Sequence, residues 1–340
     1  MDIGAFKGVR FAELGGPEVL QVQEVSLDEP GEGEVLLKVL GIGMTQGDVM
    51  YRRGTYLEQP ELPSGLGTEI CGEVLAVGPG VKGLQAGDRV SSISSFSINR
   101  YPIYGEYALL PEFSLIKTPA GFSDVEGAGF SLAFVPMYLL LAYEAQLRAN
   151  EWLVLNAAAA TTSLAACQLA KRMNANVVGV VRNPDKVEAL KSQGFDHVLL
   201  WSEAIAEEVK EITGGGANVV LDPVLGDECA VLGDMAAYRA RIVHYGALAG
   251  PVAMHSIYNL APKFLTVKGF TIYGYSGSQV MDLARDDDAM KQAQSFIEEG
   301  AAAGQLSPLI AGTFPLNEIV IAHRELENGS HVGKLVVVPE

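Results

Sequence analysis

Leu153-Val-Leu-Asn-Ala-Ala-Ala-Ala160-Thr-Thr-Ser-Leu-Ala-Ala-Cys-Gln168-Leu-Ala-Lys171 is the stretch that decides the fold. A short apolar strand runs into a helix through a turn of small residues. A dinucleotide-binding fold places G-x-G-x-x-G at this junction, so that backbone N–H groups and the helix N-terminus can meet a pyrophosphate. Here the glycines are absent, and Ala160, Thr161 and Ser163 stand in their places. A non-glycine residue held at positive φ is strained by roughly one to a few kcal/mol, so the turn is expected to take another path. Small side chains still admit close approach, and the hydroxyls of Thr161, Thr162 and Ser163 can cap the helix or donate to a phosphate. The turn alone leaves two readings open, a cofactor loop and a helix cap without a ligand.

Outward from this junction, short apolar strands alternate with helical stretches. Trp152–Leu155 leads to a helix ending at Met173, and Val177–Val181 to a helix from Pro184. Val198–Leu200, Val219–Leu221, Arg241–Tyr245 and Gly269–Tyr273 continue the series. Strands separated by helices imply βαβ units and a parallel, doubly wound sheet. The first ~120 residues read differently, with Gly/Pro-punctuated runs such as Val19–Val25, Glu34–Leu40, Glu69–Val77 and Asp88–Ile93. After a helix over Ala289–Glu299, β texture returns from Leu306 and ends at Lys334-Leu-Val-Val-Val338. The expected α/β architecture is a β-rich domain (1–125 and 276–340) split in sequence around a doubly wound domain (126–275).

The strand after the small-residue turn raises the cofactor reading. In NAD enzymes an acidic residue usually ends this strand and holds the ribose diol. Val177-Val-Gly-Val-Val181 ends instead in Arg182, with Lys186 four residues on. A cation in that place suits a 2′-phosphate through charge-assisted hydrogen bonds. A solvated arginine at a strand end is the bland alternative.

The net charge of −17 repels phosphate backbones and anionic lipid, so neither nucleic acid nor a membrane surface is an expected partner. Cys71, Cys167 and Cys229 are odd in number and form no CxxC pair, which fits a reducing cytoplasm. Gly127–Tyr143 is apolar over about a short membrane span, but Pro136 interrupts it, and a buried helix is expected.

Gly15-Gly-Pro-Glu-Val-Leu20, Gly67-Thr-Glu-Ile-Cys-Gly72, Gly78 with Val81, Ala86-Gly-Asp-Arg-Val90, and Cys167-Gln168 with Lys171 occur in order along the chain. Together they resemble the zinc-independent quinone oxidoreductase and enoyl reductase branch of the medium-chain dehydrogenase/reductase superfamily, over essentially the full length. The resemblance implies a GroES-like catalytic domain, an inserted Rossmann domain, NADPH held in a cleft between them, and homodimers joined through edge strands around Phe270–Tyr275. It also implies that Arg182 and Lys186 meet the 2′-phosphate and that Trp201 packs on the adenosine. Tyr245 and Gly246 then lie beside the nicotinamide ribose, and Thr45 and Gln46 lie on a loop reaching the nicotinamide. Val135 departs from the pattern, standing where relatives often carry a Thr.

Zinc-dependent relatives take ligands near 45, after the glycine at 67, and near 135. Thr45, Thr68 and Val135 make poor ligands, and His197, His244, His255, His323 and His331 show no HxH or HxxxH spacing, so no metal is expected. Without a Lewis acid, alcohol oxidation is difficult, whereas reduction of a quinone or conjugated C=C requires only positioning and oxyanion stabilisation. Tyr56, in Arg53-Gly-Thr-Tyr56, falls where the resembled reductases place an active-site tyrosine, and a phenol can donate a hydrogen bond or proton to an enolate. Tyr51, Tyr101 and Tyr104 are further wall candidates without a role. The loop from Ser91 to Tyr104 is expected to shape the pocket mouth for an uncharged, apolar small molecule. The expected function is an NADPH-dependent oxidoreductase of quinones or α,β-unsaturated carbonyls, enoyl thioesters among them. The alternative is a non-catalytic NADPH-binding or structural protein on the same scaffold.

Overall fold

The structure is a computed structural model that describes residues 3–339. Its β-rich part opens with a two-stranded sheet of β1 (Phe6–Arg10) and β2 (Gln21–Val25). It continues with β3 (Glu34–Gly43), α1 (Gln46–Arg52), β4 (Ile70–Val77), β5 (Arg89–Ser92), β6 (Tyr107–Pro111) and β7 (Leu115–Lys117). Then α2 (Asp124–Leu139) runs on through a π-helical turn at Leu140–Glu144. Gly41 and Gly43 admit α2 onto β3: a Cβ at Gly43 would sit 1.9 Å from the Ala128 carbonyl oxygen, and one at Gly41 2.9 Å from the Ala128 Cβ. The helix is apolar because it is core, with 78% of its most hydrophobic window buried inside the protein.

The parallel part holds β8 (Trp152–Leu155), α3 (Thr161–Arg172), β9 (Asn176–Val181), α4 (Val187–Lys191), β10 (His197–Leu200) and α5 (Ile205–Thr213). It continues through β11 (Ala217–Asp222), α6 (Cys229–Met235), β12 (Ala236–His244), α7 (Ile257–Lys263) and β13 (Thr266–Gly269). All neighbouring strands are parallel, in the order β10-β9-β8-β11-β12-β13. This is the doubly wound order 3-2-1-4-5-6, whose ligand crevice lies at the carboxyl ends of the strands. Helices on both faces explain why β9 is an unbroken apolar run, buried from Val177 to Val181.

The chain returns through α8 (Tyr273–Ser276), α9 (Asp287–Ala302), β14 (Ile310–Pro315), α10 (Ile319–Asn328) and β15 (Lys334–Val338). The larger β-rich sheet runs β14-β15-β3-β4-β5-β7, with β6 also paired to β3. Two compact units result, dividing at Val135/Pro136 and Ile272/Tyr273. The first division falls inside α2, ten residues after the expected boundary at 125. The amino-terminal half of that helix is held against β3 and β4, where Gly127 lies under Cys71.

Four expectations are corrected. The strand read at Gly269–Tyr273 is β13, ending at Gly269: its partner β12 ends at His244, opposite Gly269, so later residues have no ladder to join. Tyr273 instead opens α8, and the strand edge expected around Phe270–Tyr275 lies at Thr266–Gly269. The β texture from Leu306 is interrupted by α10, whose buried Ile319, Ala322, His323 and Leu326 follow helical spacing. The loop expected at Thr45 and Gln46 is the start of α1. Thr45 and Asp48 form a reciprocal capping box there, a pattern the sequence carried.

Candidate active site

In the parallel unit, the turn between β8 and α3 places its strain at Ala157, whose φ is +53°. Ala160 is extended at φ −70° and caps α3 without a side-chain hydrogen bond. Thr161 and Ser163 are already helical. Losing glycine at 160, 161 and 163 therefore costs no left-handed strain; it adds side-chain bulk where a phosphate would approach. The turn sits close over the sheet because Gly179 of β9 lacks a side chain, and a Cβ there would meet the Ala158 Cβ at 2.9 Å.

The hydroxyls do not cap the helix. Thr162 Oγ1 and Ser163 Oγ each lie 3.3 Å from the Tyr245 hydroxyl, and Ser163 also donates to the Asn156 carbonyl at 3.3 Å. Burial raises the pKa of Tyr245, which stays a neutral phenol. Four expected residues thus meet at one place: Thr162, Ser163, Tyr245 and, next in chain, Gly246. The last must be glycine for a close approach, because a Cβ there would stand 2.7 Å from the Pro223 carbonyl oxygen. Thr161 is the first residue of α3. First-turn N–H groups without a side-chain cap, at the positive end of the helix dipole, suit an anion.

Arg182 follows β9 and is exposed, its guanidinium carbon 6.0 Å from the centre of the Trp201 ring. It also pairs with Glu228, just before α6. Sequence reading missed that carboxylate, and an incoming phosphate would have to displace it. Lys186 closes the 3₁₀ turn Pro184–Lys186, and partial burial lowers its pKa.

In the β-rich unit, Tyr56 donates to or accepts from the Tyr273 hydroxyl at 2.9 Å, and Tyr273 lies 3.3 Å from Ser94 Oγ. The three hydroxyls line a small pocket with the apolar Leu57, Phe96, Ile98, Val280 and Met281 and the polar Glu58 and Ser278. Burial, followed by the neighbouring Tyr273, raises the pKa of Tyr56 far above the ordinary phenol value. At neutral pH this group is a hydrogen-bond donor and not a phenolate. Ser94 lies in the Ser91–Tyr104 loop expected at the pocket mouth, whereas Tyr273, 217 residues from Tyr56 along the chain, carried no sequence signal. Tyr51 and Tyr104, by contrast, are core residues. Tyr51 bonds Asn99 at 2.7 Å, and Tyr104 donates to Asp48 Oδ2 at 3.1 Å. Tyr101 is likewise occupied, bonding Glu34 at 2.8 Å.

Thr45 and Gln46 are tied down locally. The Thr45 amide donates to Asp48 Oδ2 at 2.7 Å, and Gln46 Nε2 reaches the Leu326 carbonyl at 3.3 Å. Asp48 itself is buried, its Oδ1 without a partner, and burial pushes its pKa from 3.8 to about 6. For a carboxyl raised on folding, the stability gained by protonation is complete below about pH 4 and lost as pH rises through 6, worth about 3 kcal/mol at 1.36 kcal/mol per unit. Asp48→Asn should therefore gain stability relative to the parent chain by about 2–3 kcal/mol between pH 4 and pH 7. Urea midpoints at the two pH values measure this; parallel pH profiles would contradict it.

Two family profiles match the chain, an alcohol dehydrogenase GroES-like domain over 31–120 and a zinc-binding dehydrogenase over 162–291. The quinone oxidoreductase of Pseudomonas aeruginosa is 32% identical, covering 98% of this chain and 99% of the relative. Quinone oxidoreductase 1 of Escherichia coli is 31% identical over 97% of this chain and 99% of its own length. The crystal structure of Escherichia coli quinone oxidoreductase complexed with NADPH superposes with a TM-score of 0.86 at 30% identity, covering 98% of this chain and 100% of that one. A GroES-like unit interrupted by a Rossmann sheet in the order 3-2-1-4-5-6, with full-length relatives above 30% identity, leaves one assignment: the chain belongs to the quinone oxidoreductase branch of the medium-chain dehydrogenase/reductase superfamily.

Proposed function

We propose that the chain is an NADPH-dependent reductase of quinones or α,β-unsaturated carbonyl compounds, enoyl thioesters included, working without zinc. The observation that carries the reading is the Tyr56–Tyr273–Ser94 hydroxyl chain in a pocket walled mainly by apolar side chains, with Glu58 and Ser278 beside them. The residues of the parallel unit fit the cofactor. A helix start without a side-chain cap offers N–H groups to the pyrophosphate, Arg182 and Lys186 supply cations for the 2′-phosphate, and Trp201 offers a ring to the adenine.

When bound, NADPH would supply the hydride for the reduction. What this chain contributes is placement and charge stabilisation. Tyr56, kept protonated by burial, donates a hydrogen bond to the substrate oxygen as negative charge gathers on it. Tyr273 orients that phenol, and the apolar side chains of the wall, with the Glu58 carboxylate beside them, favour an uncharged substrate over an anionic one. Thr45, Thr68 and Val135 offer no good zinc ligand, which fits a reaction that needs no Lewis acid.

The oligomer we propose is a homodimer, paired not through Phe270–Tyr275 but through β13, whose four residues are all exposed. A cytoplasmic setting suits the three free, buried cysteines.

Arg182→Ala should weaken NADPH binding by about 1.5–3 kcal/mol, the scale of a charged hydrogen bond, and leave NADH nearly unchanged. Paired titrations with both nucleotides check this, and equal losses would remove Arg182 from phosphate recognition. The reaction itself is tested by following NADPH oxidation with quinones, enones and enoyl thioesters. Turnover of at least one class is expected. NADPH binding without turnover of any class would favour the non-catalytic alternative, a reading helped by the way Tyr245 already occupies two of the turn's hydroxyls.

A further inference from the structure

Histidine spacing along the chain gives no sign of a metal, yet the fold gathers three ligand-type side chains at the carboxyl ends of β11 and β12. Among the described residues, Cys229 Sγ and one ring nitrogen each of His244 and His255 lie within 4.8 Å of one another. His244 ends β12, Cys229 opens α6, and His255 arrives on the loop that follows β12. That loop is pinned beside α6: Gly226 N–H donates to the Val252 carbonyl at 2.9 Å, and Ala249 N–H to that of Val224 at 2.8 Å.

Asp222 stands behind the group. Its Oδ2 lies 3.0 Å from His244 Nδ1 and 3.7 Å from Cys229 Sγ, while its Oδ1 is held by Asn156 at 2.9 Å and by the Val224 amide at 3.0 Å. A carboxylate on Nδ1 fixes the tautomer that leaves His244 Nε2 as a lone pair aimed at the cluster, as carboxylates behind metal-bound histidines do. His255 Nε2 faces it at 2.8 Å, and His255 Nδ1 is buried without a hydrogen-bond partner. A hydrogen bond between imidazoles accounts for that one distance. From another element, the Cys229 thiol donates to Asp222 Oδ2 and comes within 4.8 Å of both ring nitrogens.

We propose that Cys229, His244 and His255 bind one zinc-class divalent ion, with Asp222 orienting His244 and the fourth position open to water or a small ligand. Two imidazoles and a thiolate are a borderline-soft set that selects zinc, cobalt, nickel or copper over magnesium, calcium and manganese. A tetrahedral ion bound at ~2.0–2.1 Å holds two nitrogens roughly 3.3 Å apart, so the rings need to part by about 0.5 Å. On loading, the Cys229 thiol releases one proton to solvent, the His255 Nε2 proton passes to the unpartnered Nδ1, and no electrons move. The site differs from the positions at 45, 68 and 135 that zinc-dependent relatives use, and it borders the proposed cofactor residues, His244 being next to Tyr245 and Asp222 bonded to Asn156. Its effect is to clamp the loop carrying His255 onto the start of α6.

The full-length chain, stripped by chelator, would be titrated with Co²⁺ and followed by absorption, then challenged with Zn²⁺. The expected result is one equivalent of cobalt with a thiolate-to-metal charge-transfer band and tetrahedral ligand-field bands, displaced by zinc and not by magnesium. Cys229→Ala should abolish the charge-transfer band, and His255→Gln should weaken zinc at least ~10-fold, the lower end of what losing even an outer-shell partner costs. No saturable band in the unaltered chain, an octahedral oxygen-type spectrum, or binding unchanged in both variants would overturn the site. The unaltered chain's spectrum decides the matter even if a variant does not fold.

Discussion

Lys334→Met should destabilise the chain by about 3–5 kcal/mol, the cost of stripping one partner from a buried ion pair. Lys334 opens β15 and is 4% exposed; its ammonium pairs with Glu69, just before β4, which is 0% exposed. The other Glu69 oxygen accepts from the Ser131 hydroxyl at 3.0 Å and the Leu132 amide at 2.8 Å, both on α2. One carboxylate thus ties two strands of the β-rich sheet to the helix laid across it. Without the ammonium, that carboxylate keeps its hydrogen bonds but loses its counter-charge in a site closed to water. Adding Glu69→Gln to Lys334→Met should restore part of the loss, because a neutral amide leaves no uncompensated charge. Urea denaturation of the single and double variants measures both values. A loss under about 1 kcal/mol for Lys334→Met would show that water reaches the pair.

Tyr56→Phe should lower kcat about 10²–10³-fold, the effect of removing one oxyanion donor, with NADPH affinity nearly unchanged. The substitution keeps the ring, which stands edge-on to Tyr51 with centroids 6.4 Å apart, so packing is preserved while the donor is lost. Because burial holds the phenol well above its ordinary pKa, the parent enzyme should show no loss of activity from Tyr56 ionisation up to about pH 9. Tyr273→Phe removes the orienting partner and should cost less than Tyr56→Phe. Steady-state kinetics on a substrate found in the screen give these values. A Tyr56→Phe enzyme with unaltered kcat would leave the phenol as wall alone.

The parallel sheet was legible because its strands are short apolar runs separated by helical stretches, and Val177–Val181, buried on both faces, is the plainest of them. Elements set by local pattern could have been read and were not. The capping box of Thr45 and Asp48 announces α1, and the spacing of Ile319, Ala322, His323 and Leu326 announces α10. Gly269–Tyr273 misled for a different reason. Its aromatic and β-branched residues favour a strand, but the strand ends where β12 stops offering partners, a fact set 25 residues earlier at His244.

The candidate site divided along the same line. Arg182 and Lys186 could be named from the strand they follow, and Tyr56 from a resemblance. The partners that give these groups their character come from distant segments: Glu228 on Arg182, Tyr273 and Ser94 around Tyr56, and the buried Asp48 under Tyr104. No spacing rule links His244 to His255 and Cys229 either; they meet only because β12, its following loop and α6 share one end of the sheet.

The central claim is that a turn without glycines, followed one strand later by Arg182 and Lys186, still takes NADPH. Titrating the purified chain with NADPH and with NADH, each followed by nucleotide fluorescence, tests it directly. The account predicts saturable enhancement with NADPH at one nucleotide per chain and at least ~10-fold weaker binding of NADH, as one charged hydrogen bond requires. Absence of saturation with NADPH, or equal affinity for the two nucleotides, would contradict it.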